Sequence, residues 1–211
     1  MNFIETISVS HQKALHIEYH QARVNWTLEA HDCDPSQLNI EKYVESKILE
    51  QSNNPLLLGS HPLRCKVVYS DSQFLKCEFF EYKRRMVESL QVVDGLHSDY
   101  YFKYENRRDL DFLMQQKGDC DDILIVQHGY LTDTSIGNVA LYNGKEWHTP
   151  SEPLLRGTTR KRLIDEHIIL PREIRVDHLK NYSKICIFNA LIPFEAVQFS
   201  THQITTSYSK D

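Results

Sequence analysis

The spacing of apolar residues changes several times along this chain, and each change marks an element. Residues 3–9 (Phe-Ile-Glu-Thr-Ile-Ser-Val) read as a short strand, with a turn near His11–Lys13. Glu18–Ala30 reads as a helix. Tyr19, Ala22, Trp26 and Ala30 recur at helical spacing and predict one apolar stripe, while His20, Arg23 and Thr27 repeat on a neighbouring face. Asp34 or Ser36 is placed to cap a further helix that includes Glu41–Gln51, with Tyr43, Val44, Ile48 and Leu49 as its buried side. Asn53–Pro62 reads as a loop, and the β-rich runs Cys65–Ser70 and Phe74–Tyr82 follow it. Together these elements predict a small sheet carrying helices.

The second half is patterned differently, with many short strands and few helices. Gln91–Ser98 is short, contains Asp-Gly and precedes an aromatic run, so it reads as a link between domains. Tyr100–Lys103 reads as a strand end, and Asn106–Gln116 as a helix with Leu110, Leu113 and Met114 on one face. Ile123–Val126 is continuously apolar, as a strand buried on both faces would be. His128–Gly129 turns into Tyr130–Thr132. Asn143-Gly144 predicts a hairpin joining Val139–Tyr142 to Glu146–Thr149. Thr158–His167 reads as a helix with Leu163 and Ile164 inward, Asp177 starts a short helix, and Ile185–Phe188 reads as a strand. The expected division is a first domain over residues 1–92, a linker over 93–98 and a second domain over 99–211.

Composition narrows the choices. The 211 residues are 41% hydrophobic and 25% charged, with a net charge of -5, as in an ordinary water-soluble domain. A pI near 6.1 gives no global basic footprint, so nucleic acid is not an expected partner. No apolar run approaches the roughly 20 residues that span a bilayer, and Met1–Ser10 lacks the layout of a signal peptide. Cys33, Cys65, Cys77, Cys120 and Cys186 are scattered and form no CxxC, which argues against structural zinc and a disulfide framework and for a reducing cytoplasm. His61, His128 and His148 show no metal-ligand spacing, so no metal is expected.

Three local patterns carry candidate chemistry. Lys103 lies between Phe102 and Tyr104. A lysine among apolar neighbours can be a lowered-pKa nucleophile for an aldehyde, or an edge-strand lysine reaching water. Asp133 in Leu-Thr-Asp-Thr-Ser can hold a protonated ring nitrogen, or simply cap a turn. Gly157-Thr158-Thr159 opens a helix, where amide and hydroxyl groups suit a phosphate or serve only as a cap. Arg23, one turn from His20, can be a second phosphate ligand or a solvated helix arginine. An amine, an acid and an anion site are together what pyridoxal phosphate (PLP) needs.

In this order the segments resemble the class IV aminotransferase family of fold-type IV PLP enzymes, which includes branched-chain and D-amino acid aminotransferases and aminodeoxychorismate lyase. The resemblance runs from Phe3-Ile4-Glu5-Thr6 through His20-x-x-Arg23, Lys103-x-x-Asn106-Arg107, Leu131–Ser135 with Asn138, and Leu155-x-Gly157-Thr158-Thr159-Arg160, to Asn189-Ala190. Asp121–Arg160 is its most specific part.

The resemblance implies an α+β, two-domain fold: a small N-terminal α/β sandwich, a C-terminal pseudo-barrel, and PLP in the cleft between them. It implies that Lys103 forms the internal aldimine and moves the Cα proton, and that Asp133 faces the pyridine nitrogen. Arg23, Thr158 and Thr159 would hold the phosphate, Asn138 would line the ring and His20 would support Arg23. It further implies a homodimer acting on a small amino or keto acid. Transamination is the expected outcome, with lyase-type release of pyruvate, or PLP binding without catalysis, as alternatives. Four departures are visible. The family's lead segment before the Phe-Glu-Thr strand is not seen, Asp133 stands where glutamate is usual, Thr158 replaces an aliphatic residue, and no substrate-carboxylate arginine can be assigned.

Overall fold

A computed structural model of the chain describes residues 1–59, 61–96, 98 and 100–206. His97 of the expected linker, residue 99 where the second domain is expected to begin, and residue 60 of the expected loop lie outside the described residues, as do 207–211. The chain divides into two compact units. One comprises Met1–Arg84 with Phe102–Asn106, and the other Arg85–Tyr101 with Arg107–Asp211. Phe102–Asn106 thus belongs with the first unit, whereas a boundary at residue 99 would assign it to the second.

The first unit is a four-stranded antiparallel sheet with helices against it. Its strands are β1 (Phe3–Ser10), β2 (Lys13–Ala14), β3 (Leu63–Tyr69) and β4 (Phe74–Glu81), in the order β2-β1-β3-β4. Its helices are α1 (Ile17–Glu29), α2 (Ile40–Glu50) and the short α3 (Pro55–Leu58), which lies within the expected loop. Strand period two puts Phe3, Glu5, Ile7 and Val9 on one face of β1. Phe3, Ile7 and Val9 join Cys65, Val67 and Tyr69 of β3, Val24 and Leu28 of α1, and Ile40, Val44 and Ile48 of α2 in one core. Each such buried aliphatic side chain contributes about 1.5–3 kcal/mol.

Two helical expectations are corrected. In α1 the buried residues are His20, Arg23, Val24, Thr27 and Leu28, while Ala22 and Ala30 are exposed. The face read as secondary is therefore the inner one. Alanine has little surface to bury, and His20 and Arg23 have a partner on β1, Glu5, that the helix sequence does not reveal. In α2 Leu49 is 75% exposed, and the cap is Asn39, whose side chain accepts from the Lys42 N–H, rather than Asp34 or Ser36. Asp34 instead caps the short 3-10 turn Pro35–Gln37.

The segment Phe102–Asn106 returns to β1. The Ile4 N–H donates to the Lys103 carbonyl at 2.9 Å, and Glu105 N–H donates to Asn2 at 3.0 Å. Phe102 stacks on Trp26 with ring centroids 4.7 Å apart, and Tyr104 stacks on Phe3 at 5.7 Å. The aromatic run around Lys103 thus anchors this segment to β1 and α1.

The second unit is built on a mixed sheet, nine-stranded among the described residues. Its strands are β5 (Leu90–Asp94), β6 (Asp122–Gln127), β7 (Tyr130–Thr134), β8 (Asn138–Tyr142), β9 (Trp147–Pro150), β10 (Ile169–Arg172), β11 (Lys184–Phe188), β12 (Gln198–Ser200) and β13 (Ile204–Thr205). Helix α4 spans Arg108–Met114 and α5 spans Thr158–Asp165. β6 is buried throughout Ile123–Val126, between parallel β5 and antiparallel β7. β8 pairs with β7, β9 and β11: β7 and β11 meet its start at Asn138, and β9 pairs with its end at Leu141 and Tyr142.

The expected linker is corrected here, because residues 90–94 are a strand paired in parallel with Asp122–Val126. Its two adjacent valines signal burial, and Asp-Gly ends the strand rather than joining domains. A Cβ on Gly95 would lie 2.4 Å from Ile125 Cγ2, so the glycine allows close strand packing.

Candidate active site

In the first unit the side chains with candidate chemistry gather on Glu5. This carboxylate lies on the core face of β1 and is wholly buried. Its Oε1 accepts from Arg23 Nε at 2.8 Å, and its Oε2 accepts from Arg23 Nη2 and His20 Nδ1, each at 2.5 Å. A carboxylate only accepts, so the His20 proton on this bond belongs on Nδ1. The i,i+3 spacing of His20 and Arg23 puts both on the side of α1 that meets β1. Burial would raise the Glu5 carboxyl, but the Arg23 charge and the bonds from His20 and Arg23 outweigh it and hold the carboxyl at about 2. Burial lowers His20, and the charges of Arg23 and Lys103 add to that effect, so the imidazole is held neutral against the pull of Glu5. Lys103 is half-buried, and its charge lies close enough to act on His20.

In the second unit the centre is Asp133, at the end of β7. The turn Thr134–Gly137 is closed by Thr134 N–H donating to the Gly137 carbonyl at 2.9 Å and by Gly137 N–H donating to Thr134 Oγ1 at 3.1 Å. That turn sets Asp133 opposite Asn138 in the strand register, which explains the five-residue spacing in the sequence. Asn138 Nδ2 donates to Asp133 Oδ1 at 2.7 Å and to the Leu155 carbonyl at 2.9 Å. Leu155 N–H donates to Asp133 Oδ2 at 2.7 Å. Arg107 fixes the same turn by donating to the Ser135 carbonyl at 2.7 Å, and Asn189 does so by donating to the Ile136 carbonyl at 2.9 Å.

The start of α5 closes on this network. A Cβ on Gly157 would lie 1.8 Å from Asn138 Oδ1, so only glycine lets the helix approach so near. Gly157 is the N-cap and supplies no side-chain bond, which leaves the first amide groups, at Thr158 and Thr159, without an intrahelical acceptor. Thr158 is buried and Thr159 half-buried. Arg160 is tied to the end of β9, donating to the Pro150 carbonyl at 2.6 Å and to Thr149 Oγ1 at 3.3 Å.

The structure therefore brings Asp133, Asn138, Thr158 and Thr159 into one cluster, and Arg23, His20 and Lys103 into another within the first unit. Sequence reasoning gave no role to Glu5, which organises the first cluster. Its signal is a lone acid on the apolar face of a strand. Leu155 was also missed as an organiser, because its backbone forms the bonds and its side chain carries no sign of it. These residues fit PLP by their own chemistry. Asp133 presents a buried carboxylate, the group that a protonated ring nitrogen pairs with. An uncapped helix start with two hydroxyls suits a phosphate.

The comparisons with known proteins agree. Residues 2–198 match the model of the amino-transferase class IV family, and the chain belongs to that family of PLP-dependent enzymes. A Haemophilus influenzae protein described only as uncharacterized is 32% identical over 192 residues, which is 89% of this chain and 96% of its own. A crystal structure from Haemophilus somnus, provisionally assigned as a 4-amino-4-deoxychorismate lyase, is 30% identical with a TM-score of 0.79, covering 90% of this chain and 96% of that one. The PLP-bound form of a hypothetical aminotransferase from Mycobacterium tuberculosis has a TM-score of 0.73 at 16% identity, covering 96% of this chain and 81% of that one. The fold is the α+β, two-domain fold of fold-type IV PLP enzymes. Among the described residues, no helix is long and apolar enough to cross a membrane.

Proposed function

We propose that the protein binds PLP through Lys103 and uses it to transaminate amino acids or amino-substituted carboxylates. The observation that carries this reading is the buried carboxylate of Asp133, oriented by Asn138 and Leu155 beside an uncapped helix start. Bound PLP supplies an electron sink for the pair released at the substrate Cα. Lys103 would hold the cofactor through its aldehyde and, as a free amine, would take and return the proton at the substrate Cα. Asp133 holds a proton on the pyridine nitrogen. Asn138 orients Asp133, Thr158 and Thr159 hold the phosphate, and Arg23 adds positive charge there, with its Nε edge fixed by Glu5. A homodimer acting on small amino or keto acids is part of this proposal.

A second reading has its own support. The likeness to the Haemophilus somnus protein favours expulsion of pyruvate from an amino-substituted carboxylate, a lyase reaction. The same residues serve both outcomes, which diverge in what leaves after the Cα proton is removed.

The test is borohydride reduction of the PLP-treated protein followed by peptide mass mapping. A phosphopyridoxyl group on Lys103 is expected. An adduct on another lysine, or none, overturns the assignment. Amino-donor consumption against pyruvate release then separates transaminase from lyase.

A further inference from the structure

Two thiols meet at the edge of the first unit's core. All five cysteines are free. Cys33 Sγ donates to the His31 carbonyl, Cys120 Sγ donates to Thr205 Oγ1, and Cys186 Sγ accepts from the Glu195 N–H. Cys65 and Cys77 instead face each other, with their sulfurs 3.6 Å apart.

The strand register explains the meeting. Cys65 lies opposite Phe79 and Cys77 opposite Val67 in the β3–β4 pair, so the two cysteines are diagonal neighbours on one face of the sheet. That face packs on the core, where Cys65 is wholly buried and Cys77 is half-buried. The surroundings tell the two thiols apart. The hydrogen bond from Cys65 lowers the Cys77 thiol, and the Lys47 charge on α2 adds to it, against burial and the charges of Glu50 and Glu78. The same bond and burial raise Cys65. Cys77 is thus both the sulfur nearer to solvent and the one that ionises, and the thiolate is the nucleophile.

We propose that Cys65 and Cys77 form a reversible dithiol–disulfide site, oxidised by hydrogen peroxide, with Cys77 as the attacking sulfur and Cys65 as the resolving one. The Cys77 thiolate attacks the peroxide: an S–O bond forms and the O–O bond breaks. The departing hydroxide takes up the proton that Cys77 released and leaves as water. Cys65 then attacks the Cys77 sulfur: the S–S bond forms and the S–O bond breaks. The hydroxyl leaves as a second water, carrying the Cys65 proton. The thiols lose two electrons and two protons, and the peroxide is reduced to water. The sulfurs must close from 3.6 Å to about 2 Å. Diagonal neighbours on a sheet are spaced more widely than direct ones, so β3 and β4 must draw together, and a link made this way is of the kind that thiols reduce readily. Val67 lies opposite Glu5 on β1 as well as Cys77 on β4, so the bond forms beside the strand that pairs with Glu5.

The experiment treats the reduced protein with hydrogen peroxide, blocks the remaining thiols with N-ethylmaleimide and maps peptides without reduction. A peptide pair joining Cys65 to Cys77, lighter by two hydrogens, is expected, and dithiothreitol should remove it. The link should form at least about tenfold faster in the folded protein than in urea, because the fold holds the sulfurs together. Cys65→Ala should lose the link and leave Cys77 as a sulfenic acid that dimedone captures. Cys77→Ala should lose the link and leave Cys65 without a dimedone adduct. If the folded parent forms no Cys65–Cys77 link, if Cys77 joins another cysteine instead, or if the link forms as fast in urea, the proposal is overturned. These three outcomes are read on the parent, so a variant that fails to fold does not blunt the test. A dimedone adduct on Cys65 of a folded Cys77→Ala variant would overturn the roles given to the two sulfurs.

Discussion

Glu5 and Asp133 are both buried carboxylates on strands, but they are held in opposite ways. Glu5 meets a guanidinium and an imidazole, and both of its oxygens are taken by Arg23. Asp133 is oriented by an amide side chain and a backbone N–H, both neutral donors. A carboxylate spent on a direct ion pair is fixed and has little left to offer a ligand. One aimed by an amide and a backbone N–H is fixed in direction near the end of its strand, with the Arg160 charge also within reach. The contrast separates an acid tied into the fold of the first unit from the acid to which the proposed function gives a chemical role.

The largest expected effect breaks the first member of the pair. Glu5→Gln leaves the Arg23 charge buried without its carboxylate, a change that costs about 3–5 kcal/mol. For a chain of this size that lowers the melting temperature by roughly 10 °C. A calorimetric scan of the variant checks it, and an unchanged midpoint would show that Glu5 is not structural.

Acid should weaken the same cluster in two stages. Glu5 is held at about 2 in the fold, against an ordinary value of 4.5. Its contribution is fully present above pH 4.5 and is lost as the pH falls towards 2, an effect of order 3 kcal/mol. His20 is lowered from 6.5, so the unfolded chain takes up its proton first and stability already declines below pH 6.5. Urea midpoints measured from pH 8 to pH 3 should fall in both windows, and the Glu5→Gln variant should lack the lower one. A single decline shared by both proteins would contradict the assignment.

Asp133→Asn should act on chemistry more than on the fold. The side chain keeps its shape and one acceptor, so stability should change by no more than about 1–3 kcal/mol. Turnover should fall by about a hundredfold, the scale on which a positioned acid contributes. Equal turnover would place the working acid elsewhere. The smallest expected change is Gly157→Ala. The added Cβ meets Asn138 Oδ1, and overpacking of this kind costs about 1–3 kcal/mol. PLP affinity should fall with it, as followed by fluorescence titration, because Asn138 moves away from Asp133. Unchanged affinity would uncouple the helix start from the acid.

Much of this was legible before any coordinates. Asp133 and Asn138 carry their five-residue spacing openly, because a hairpin turn sets it. Asn143-Gly144 likewise fixed its hairpin, pairing Leu141 with His148. Two kinds of information were hidden. Long-range partners leave no local trace, so the inner face of α1 looked like a polar side until Glu5 was seen opposite it. Val92-Val93 was masked by the Asp-Gly after it, which ends a strand as readily as it begins a linker. The place of Lys103 beside β1 was also hidden, since two backbone bonds to Asn2 and Ile4 hold its segment and no side-chain pattern encodes them.

The measurement closest to the central claim is the nitrogen-15 shift of ring-labelled PLP bound to the parent and to Asp133→Asn. The account predicts a protonated pyridine nitrogen in the parent and an unprotonated one in the variant at the same pH. A protonated nitrogen in both proteins would contradict the role given to Asp133.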